Sequence, residues 1–266
     1  MIRKAKLLFN TVKYLKFSQI WNRVKRNFST PCINTSSAPE LSKLKDEFQP
    51  VALSQQKMLN SNTFRFLNET NSVKASESWN DDNLDKLWLY NLHYFDDLIA
   101  VNSDKRKEWH DSLIQKWIKE NAPGCGNGWE PYPSSLRIVN WIKWSLLGAD
   151  IKQDWHDSLA VQVRYLSQNL EYHILGNHLF SNAKALIYAG LYFQGIEAEK
   201  WYKTGITIFN KELQEQVLPD GGNFELSSMY HAIFLEDLLD IFNIHQAFNK
   251  QFPYDIANKI TSMFDW

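Results

Sequence analysis

Beyond Asn80 the chain repeats one theme, with apolar positions recurring every three to four residues in runs of roughly 15 to 22, each closed by a polar or glycine-bearing break. The pattern predicts helices over Leu84–Val101, Asp104–Glu120, Ser134 or Ser135 to Leu147, Asp154–Leu170, Asn177–Phe193, Glu197–Val217 and Glu225–Phe248. A last run follows Pro253 and reaches Trp266. Trp109, Leu113, Trp117 and Ile118 form the buried stripe of the second helix. Asn121-Ala122-Pro123-Gly124 ends it, and Gly148 stops the third. Thr63–Leu67 alternates briefly, as a short strand would, and nothing else reads as sheet. Short breaks between helices make antiparallel pairs. Several runs are apolar on more than one face, so neighbours must cover them on both sides. The expected fold is therefore all-α, an α/α toroid of helical hairpins. It is expected to be incomplete, because the last run meets no cap before Trp266.

The first 50 residues differ in character from residues 51–266, which carry the helical array. Residues 1–28 hold eight basic side chains (Arg3, Lys4, Lys6, Lys13, Lys16, Arg23, Lys25, Arg26) and no acidic one. Leu8, Val12, Leu15, Ile20 or Trp21, Val24 and Phe28 fall at helical spacing among them, giving an amphipathic basic helix. Lys13 and Lys16 interrupt any signal-peptide core, so export is not indicated and a cytoplasmic location is the expectation. The simpler reading straps this helix onto the domain with a solvated basic face. The other is an interfacial helix, in peripheral contact with anionic lipid or docked on a partner. From Ser29 to Pro50 the chain is polar and broken by prolines, as a linker or irregular wrap would be.

Net charge is −1, which gives no global reason to expect nucleic acid. No run approaches the roughly 18 to 20 apolar residues of a spanning helix. Cys32 and Cys125 have no metal or redox spacing and read as free thiols. Eleven Trp, eleven Tyr and sixteen Phe are the compositional outlier; most belong in a core, while a few exposed faces would suit sugar rings.

Polar chemistry gathers at two loop-to-helix junctions, Gly176-Asn177-His178 and Asp220-Gly221-Gly222-Asn223-Phe224-Glu225-Leu226-Ser227-Ser228-Met229-Tyr230-His231. They read as facing walls of one cleft. A third segment, Gly124–Pro133, holds Trp129, Glu130 and Tyr132, a candidate sugar platform. No nucleophile elbow, phosphate loop or dinucleotide fingerprint is present, so no cofactor is expected. His173, His178 and His231 match no common metal spacing, so no metal is expected either. Amide, imidazole and phenol together suit proton abstraction beside a uronic acid carboxylate. A neutral amide donor with His or Arg stabilises the enolate, and a tyrosine takes the C5 proton.

Leu87-Trp88-Leu89-Tyr90-Asn91-Leu92-His93-Tyr94-Phe95, Ser135-Leu136-Arg137-Ile138-Val139-Asn140-Trp141, Gly176-Asn177-His178 and the Asp220–His231 stretch occur in this order. Together they resemble the amino-terminal α/α-toroid domain of the heparinase II/III-like polysaccharide lyases, over roughly residues 55 to 266. The resemblance implies cleavage of a uronic-acid-containing polysaccharide by β-elimination. It implies that Asn177 neutralises the substrate carboxylate, that His178 assists or serves as base, and that Tyr230 is general base and acid. Arg137 would line the cleft, with Glu225 and His231 flanking the phenol. Such lyases continue into a carboxy-terminal β-sandwich that supplies a further catalytic histidine and often a metal, so a β-sandwich partner is expected here. Two other readings stay open. One is an inverting glycoside hydrolase using Glu130 and Glu225, which requires carboxyl groups about 6.5–9.5 Å apart. The other is a non-catalytic carbohydrate-binding or surface-glycan assembly component.

Overall fold

The computed structural model describes residues 10, 13, 15–28, 30–252 and 256–266. Among them lie a three-stranded antiparallel sheet, β1 (Met58–Asn60), β2 (Thr63–Phe66) and β3 (Glu69–Ser72), and nine α-helices. The helices are α1 (Phe17–Phe28), α2 (Lys86–Tyr94), α3 (Lys107–Glu120), α4 (Pro131–Leu146), α5 (Gln153–Gln168), α6 (Gly176–Tyr192), α7 (Ile196–Gln216), α8 (Ser228–Ala247) and α9 (Ile256–Asp265).

Packing follows a toroid's logic. The even-numbered helices α2, α4, α6 and α8 each contact the next even one, forming an inner ring. The hairpin partners α5, α7 and α9 pack outside α4, α6 and α8 respectively, and α3 packs against α5. The sequence shows why α6 is innermost: Leu179 to Ala189 is an unbroken run of buried residues, as expected for a helix covered on every side. Gly205 of α7 permits that closeness, since a Cβ there would sit 2.9 Å from the Ala183 carbonyl oxygen of α6. The inner helices run parallel, so their amino-termini share one end of the ring.

Several boundaries differ from the periodic pattern. Helix α4 starts at Pro131, because proline suits a first-turn position; Ser134 and Ser135 lie inside the helix, bonding Gly128 O and Pro131 O rather than capping. Leu84–Val101 is split by Phe95 in the left-handed region, leaving a 3-10 turn at Asp96–Ile99. Helix α8 begins at Ser228, three residues later than expected, because Asn223 bridges back to Val217 and Ser227 caps the helix. The strand at 63–67 has two partners that pattern alone did not reveal. Residues 30–50 wrap the body: Arg164 holds Ser36 O and Ser37 O, Leu41 bridges Phe193, and Phe48 is buried. Of the amphipathic segment, α1 covers the second half; Leu8 and Val12 lie outside the described residues.

A charged lattice ties the inner ring together. Lys184 of α6 lies 2.6 Å from Asp237 and 2.5 Å from Asp240 of α8, and Lys143 of α4 also binds Asp240. These four side chains line a cavity of about 290 Å³, roughly two to three helical turns in from the amino-terminal end of the ring.

Candidate functional site

The amino-terminal ends of three inner helices converge on a cavity of about 580 Å³. Tyr132 lines it from the first turn of α4, Gly176, Asn177 and His178 from that of α6, and Tyr230 from that of α8. Tyr94, Glu212, Gln216, Phe224 and Glu225 add to the walls. The two polar junctions therefore do face each other. The amide at 177 and the phenol at 230 share one cavity, and neither side chain makes a hydrogen bond among the described residues.

Local backbone sets this geometry. Leu175 has φ 67° and ψ −162°, a conformation rare for a branched side chain, and it precedes Gly176 at φ 56°. No side chain caps α6. Its first backbone N–H groups are thus available to an anion, and the helix dipole adds to their pull. Asn177 is accordingly not the helix cap, which falls at Leu175. On the facing wall, Asp220-Gly221-Gly222 serves packing: Gly221 has φ 90°, and a Cβ there would lie 2.0 Å from Ser262 O of α9.

His178 is held by a residue that pattern reading missed. Its Nδ1 lies 3.0 Å from Glu171 Oε1, and the rings of His178 and Tyr132 meet at 4.4 Å between centroids, tilted by 31°. Glu171 is itself fixed: Asn182 Nδ2 donates to its Oε2 at 3.1 Å, and its backbone N–H donates to Asn182 Oδ1 at 2.8 Å. Asn182 also donates to Ser135 Oγ. An ionised carboxylate only accepts, so the proton of a neutral His178 sits on Nδ1 and Nε2 is left with its lone pair. A carboxylate seven residues before the imidazole was the available signal.

Burial raises two phenols of the cavity wall, Tyr132 and Tyr94. Burial, with Asp237 and Tyr230 nearby, pushes Tyr132 up to about 12. Burial also lifts Tyr94 far above the ordinary phenol value. Glu212, another residue not singled out from sequence, is raised by burial, and its Oε1 has no hydrogen-bond partner among the described residues.

Other expected site residues stand elsewhere. Arg137 does not line the cleft. It is fully buried over the Trp117 ring at 4.0 Å, and its Nε donates to Gln162 Oε1 at 2.8 Å and its Nη1 to His93 O at 3.2 Å. Trp129 is no platform either, being buried between Trp117 and Tyr165 with its indole N–H on Asn121 O. Glu130 binds Lys86 and Tyr90, outside the cavity lining, so it is not assembled with Glu225. His231 sits over Trp266 at 4.6 Å with Nε2 on Met263 O. Among the described residues no group of three or more His, Cys, Asp or Glu side chains is arranged to hold a metal ion.

A heparin-sulfate lyase of Bacteroides stercoris is 39% identical over 95 residues, covering 35% of this chain and 14% of that protein. One from Pedobacter heparinus is 32% identical over 162 residues, covering 55% of this chain and 24% of the relative. Among solved structures, heparinase III superposes with a TM-score of 0.56 at 24% identity, covering 73% of this chain and 33% of the other. The heparan sulfate lyase HepC of Pedobacter heparinus gives 0.59 at 18% identity, covering 93% and 42%. The chain thus spans about a quarter or less of these two curated relatives. The family model described as Heparinase II/III N-terminus matches residues 25–266, and the chain belongs to that family.

Proposed function

We propose that this domain supplies the amide, imidazole and phenol of a lyase that cleaves a uronic-acid-containing polysaccharide by β-elimination. The observation that carries the reading is the shared cavity of Asn177, His178 and Tyr230 at the amino-terminal rim of the inner ring. A uronate carboxylate at the start of α6 would meet the Asn177 carboxamide and the uncapped N–H groups of the first turn. Those donors hold the charge that develops on the carboxylate as C5 loses its proton. Tyr230, as phenolate, takes that proton; the electron pair forms the C4–C5 double bond, the C4–O bond breaks, and the departing oxygen receives a proton from the phenol. Tyr132 is unsuited to the base role because its ionisation is pushed up to about 12. Glu171 keeps His178 in the tautomer whose Nε2 can accept a hydrogen bond or a proton. The β-sandwich that the family resemblance implies would complete the site, its metal and histidine lying on that partner.

The test is to incubate the chain, alone and joined to a β-sandwich partner, with a panel of uronate polymers. The ultraviolet absorbance of a new C4–C5 double bond is the readout. Unsaturated ends that vanish in Tyr230→Phe support the proposal; saturated products from a turning-over enzyme overturn it. Binding of short oligouronates to the chain, weakened in Asn177→Ala, is the companion measurement.

A further inference from the structure

We propose that helix α1 docks this domain on an anionic lipid surface. The match to the family model begins at residue 25, within α1. Its attachment to the body is polar. Gln19 Nε2 donates to Ile174 O at 3.1 Å, Arg26 contacts His173 Nε2 at 2.7 Å, and Lys16 binds Glu215. The opposite face carries Phe17, Trp21, Val24 and Phe28, three to four residues apart and so in one line, at 80%, 60%, 46% and 86% exposure. The expectation of a helix strapped down by its apolar side is thus reversed, and the apolar stripe points away from the domain.

Charge selects the occupant. Residues 1–28 contain eight basic side chains and no acidic one, which leaves 21 Lys and Arg against 30 Asp and Glu in the rest of the chain. On the helical projection Lys25 flanks the stripe beside Trp21, while Arg23 lies roughly 100° from Val24, toward the side of Arg26; neither is in an ion pair among the described residues. An aromatic stripe bordered by cations is what an anionic bilayer interface accepts, with rings at the headgroup boundary and cations at the phosphates. A second copy would bring two such cationic segments together. An acidic glycan would use the cations but give no role to four outward apolar side chains. Lys16 and Gln19 also line the rim of the site cavity, so docking through α1 would hold the cavity mouth beside the headgroups.

The experiment is co-sedimentation of the whole chain with vesicles of phosphatidylcholine alone, or containing roughly one-third phosphatidylglycerol. Wild type is expected to pellet with the anionic vesicles, not the neutral ones, and to be released by salt. Phe17→Ser, Trp21→Ser and Phe28→Ser together should weaken partition by roughly tenfold or more, and Arg23→Gln with Lys25→Gln by about tenfold. All five side chains are exposed, so an unchanged thermal midpoint should accompany both variants. Failure of wild type to pellet with anionic vesicles overturns the proposal, as does pelleting indifferent to the triple substitution. A stripe-dependent dimer in sedimentation velocity without lipid would assign the face to a second copy. Equal loss of binding to an immobilised acidic polysaccharide in the triple variant would assign it to glycan.

Discussion

Replacing Lys184 with methionine removes one ammonium from a buried lattice of two cations and two anions. Lys184 Nζ lies 2.6 Å from Asp237 and 2.5 Å from Asp240. At an effective dielectric near 20, each contact is worth roughly 6 kcal/mol of attraction before desolvation is charged against it. Much of that gain offsets the cost of taking the ions out of water, so the measurable quantity is the penalty for breaking the pairs. Asp240 keeps Lys143, whereas Asp237 is left without its ammonium, and Asp240 Oδ1 already has no partner. Uncompensated buried charge of this kind costs about 3–5 kcal/mol. For a chain of this length that is a fall of roughly 6–15 °C in Tm. Urea and thermal unfolding of the chain, followed by circular dichroism, measure both. The decisive control is Lys184→Met with Asp237→Asn, which restores neutrality and leaves the Lys143–Asp240 pair intact. It should recover about 1–2 kcal/mol of the loss. A cost under about 1 kcal/mol for Lys184→Met, or strict additivity within about 0.5 kcal/mol, would refute the lattice as a stabilising unit.

The same perturbation reaches the site. Lys184 follows His178 on α6, and Asp237 follows Tyr230 on α8, each by under two turns. The lattice therefore fixes the rotation of the two helices that carry the amide and the phenol. Lys184→Met should loosen oligouronate binding even at temperatures where the chain stays folded, and isothermal titration at 10 °C below the variant's midpoint reads that directly.

Further outcomes follow from individual contacts. Tyr230→Phe should lower turnover of the joined protein by about 10²- to 10⁴-fold, while Tyr132→Phe stays within about tenfold; reversal of that order would mean the wrong phenol has been chosen as base. Glu171→Gln should cost about 10- to 100-fold in kcat/KM, the equivalent of one charge-assisted hydrogen bond, and nitrogen NMR should show His178 losing its Nδ1–H preference. An unchanged tautomer would sink the positioning role. Asp97 is buried, which raises its carboxyl, but bonds from His110, the Met58 and Lys57 N–H groups and Arg106 outweigh this and hold it at about 2. Because that lies below the unfolded value, Asp97 stabilises the fold above pH ~4 by roughly 2 kcal/mol, and the contribution is lost as pH falls from ~4 through ~2. The pH-dependent part of the wild-type advantage over Asp97→Asn should shrink across that window in urea melts.

The helices and their order were legible because each inner helix is apolar all round and each outer one on a stripe. Boundaries were less so. The three residues before α8, Glu225 to Ser227, follow a turn in which Asn223 accepts from the Glu225 and Leu226 N–H groups, bonds that carry no periodic signal in the side chains. Strands β1 and β3 went unread because they bury one side chain between them, Met58; Glu69–Ser72 has no buried residue at all. At the site, the junction residues could be read because amide, imidazole and phenol in a first helical turn have few structural duties. Arg137 misled for the opposite reason. A guanidinium in the middle of Leu136–Trp141 looks like a cleft cation, yet three neutral acceptors and an indole face give it a place in the core, where burial lowers its affinity for the proton. Glu171 escaped notice because its partner is visible only when the 171–178 loop folds back on itself.

With Arg137 withdrawn, the attraction of an acidic polymer to this cleft needs another source. The body beyond residue 28 is itself acidic, so net charge does not supply it. The parallel inner ring does. Helices α4, α6 and α8 each present a first turn to the same cavity, but Pro131 and Pro133 leave α4 short of N–H groups and Ser227 caps α8, so the unpaired N–H groups, carrying roughly half a positive charge, are those of the uncapped α6 start. That end acts on a carboxylate within a single turn and fades rapidly outside it. Steering from afar would then fall to the cations of residues 1–28, and recognition to the α6 start. Added salt should therefore slow association of an acidic glycan far more than it speeds dissociation, because screening acts on the exposed cations and much less on the enclosed dipoles. Stopped-flow binding across an ionic-strength series separates the two rates. Equal sensitivity of both would show that exposed side chains, and not the start of α6, hold the bound sugar acid.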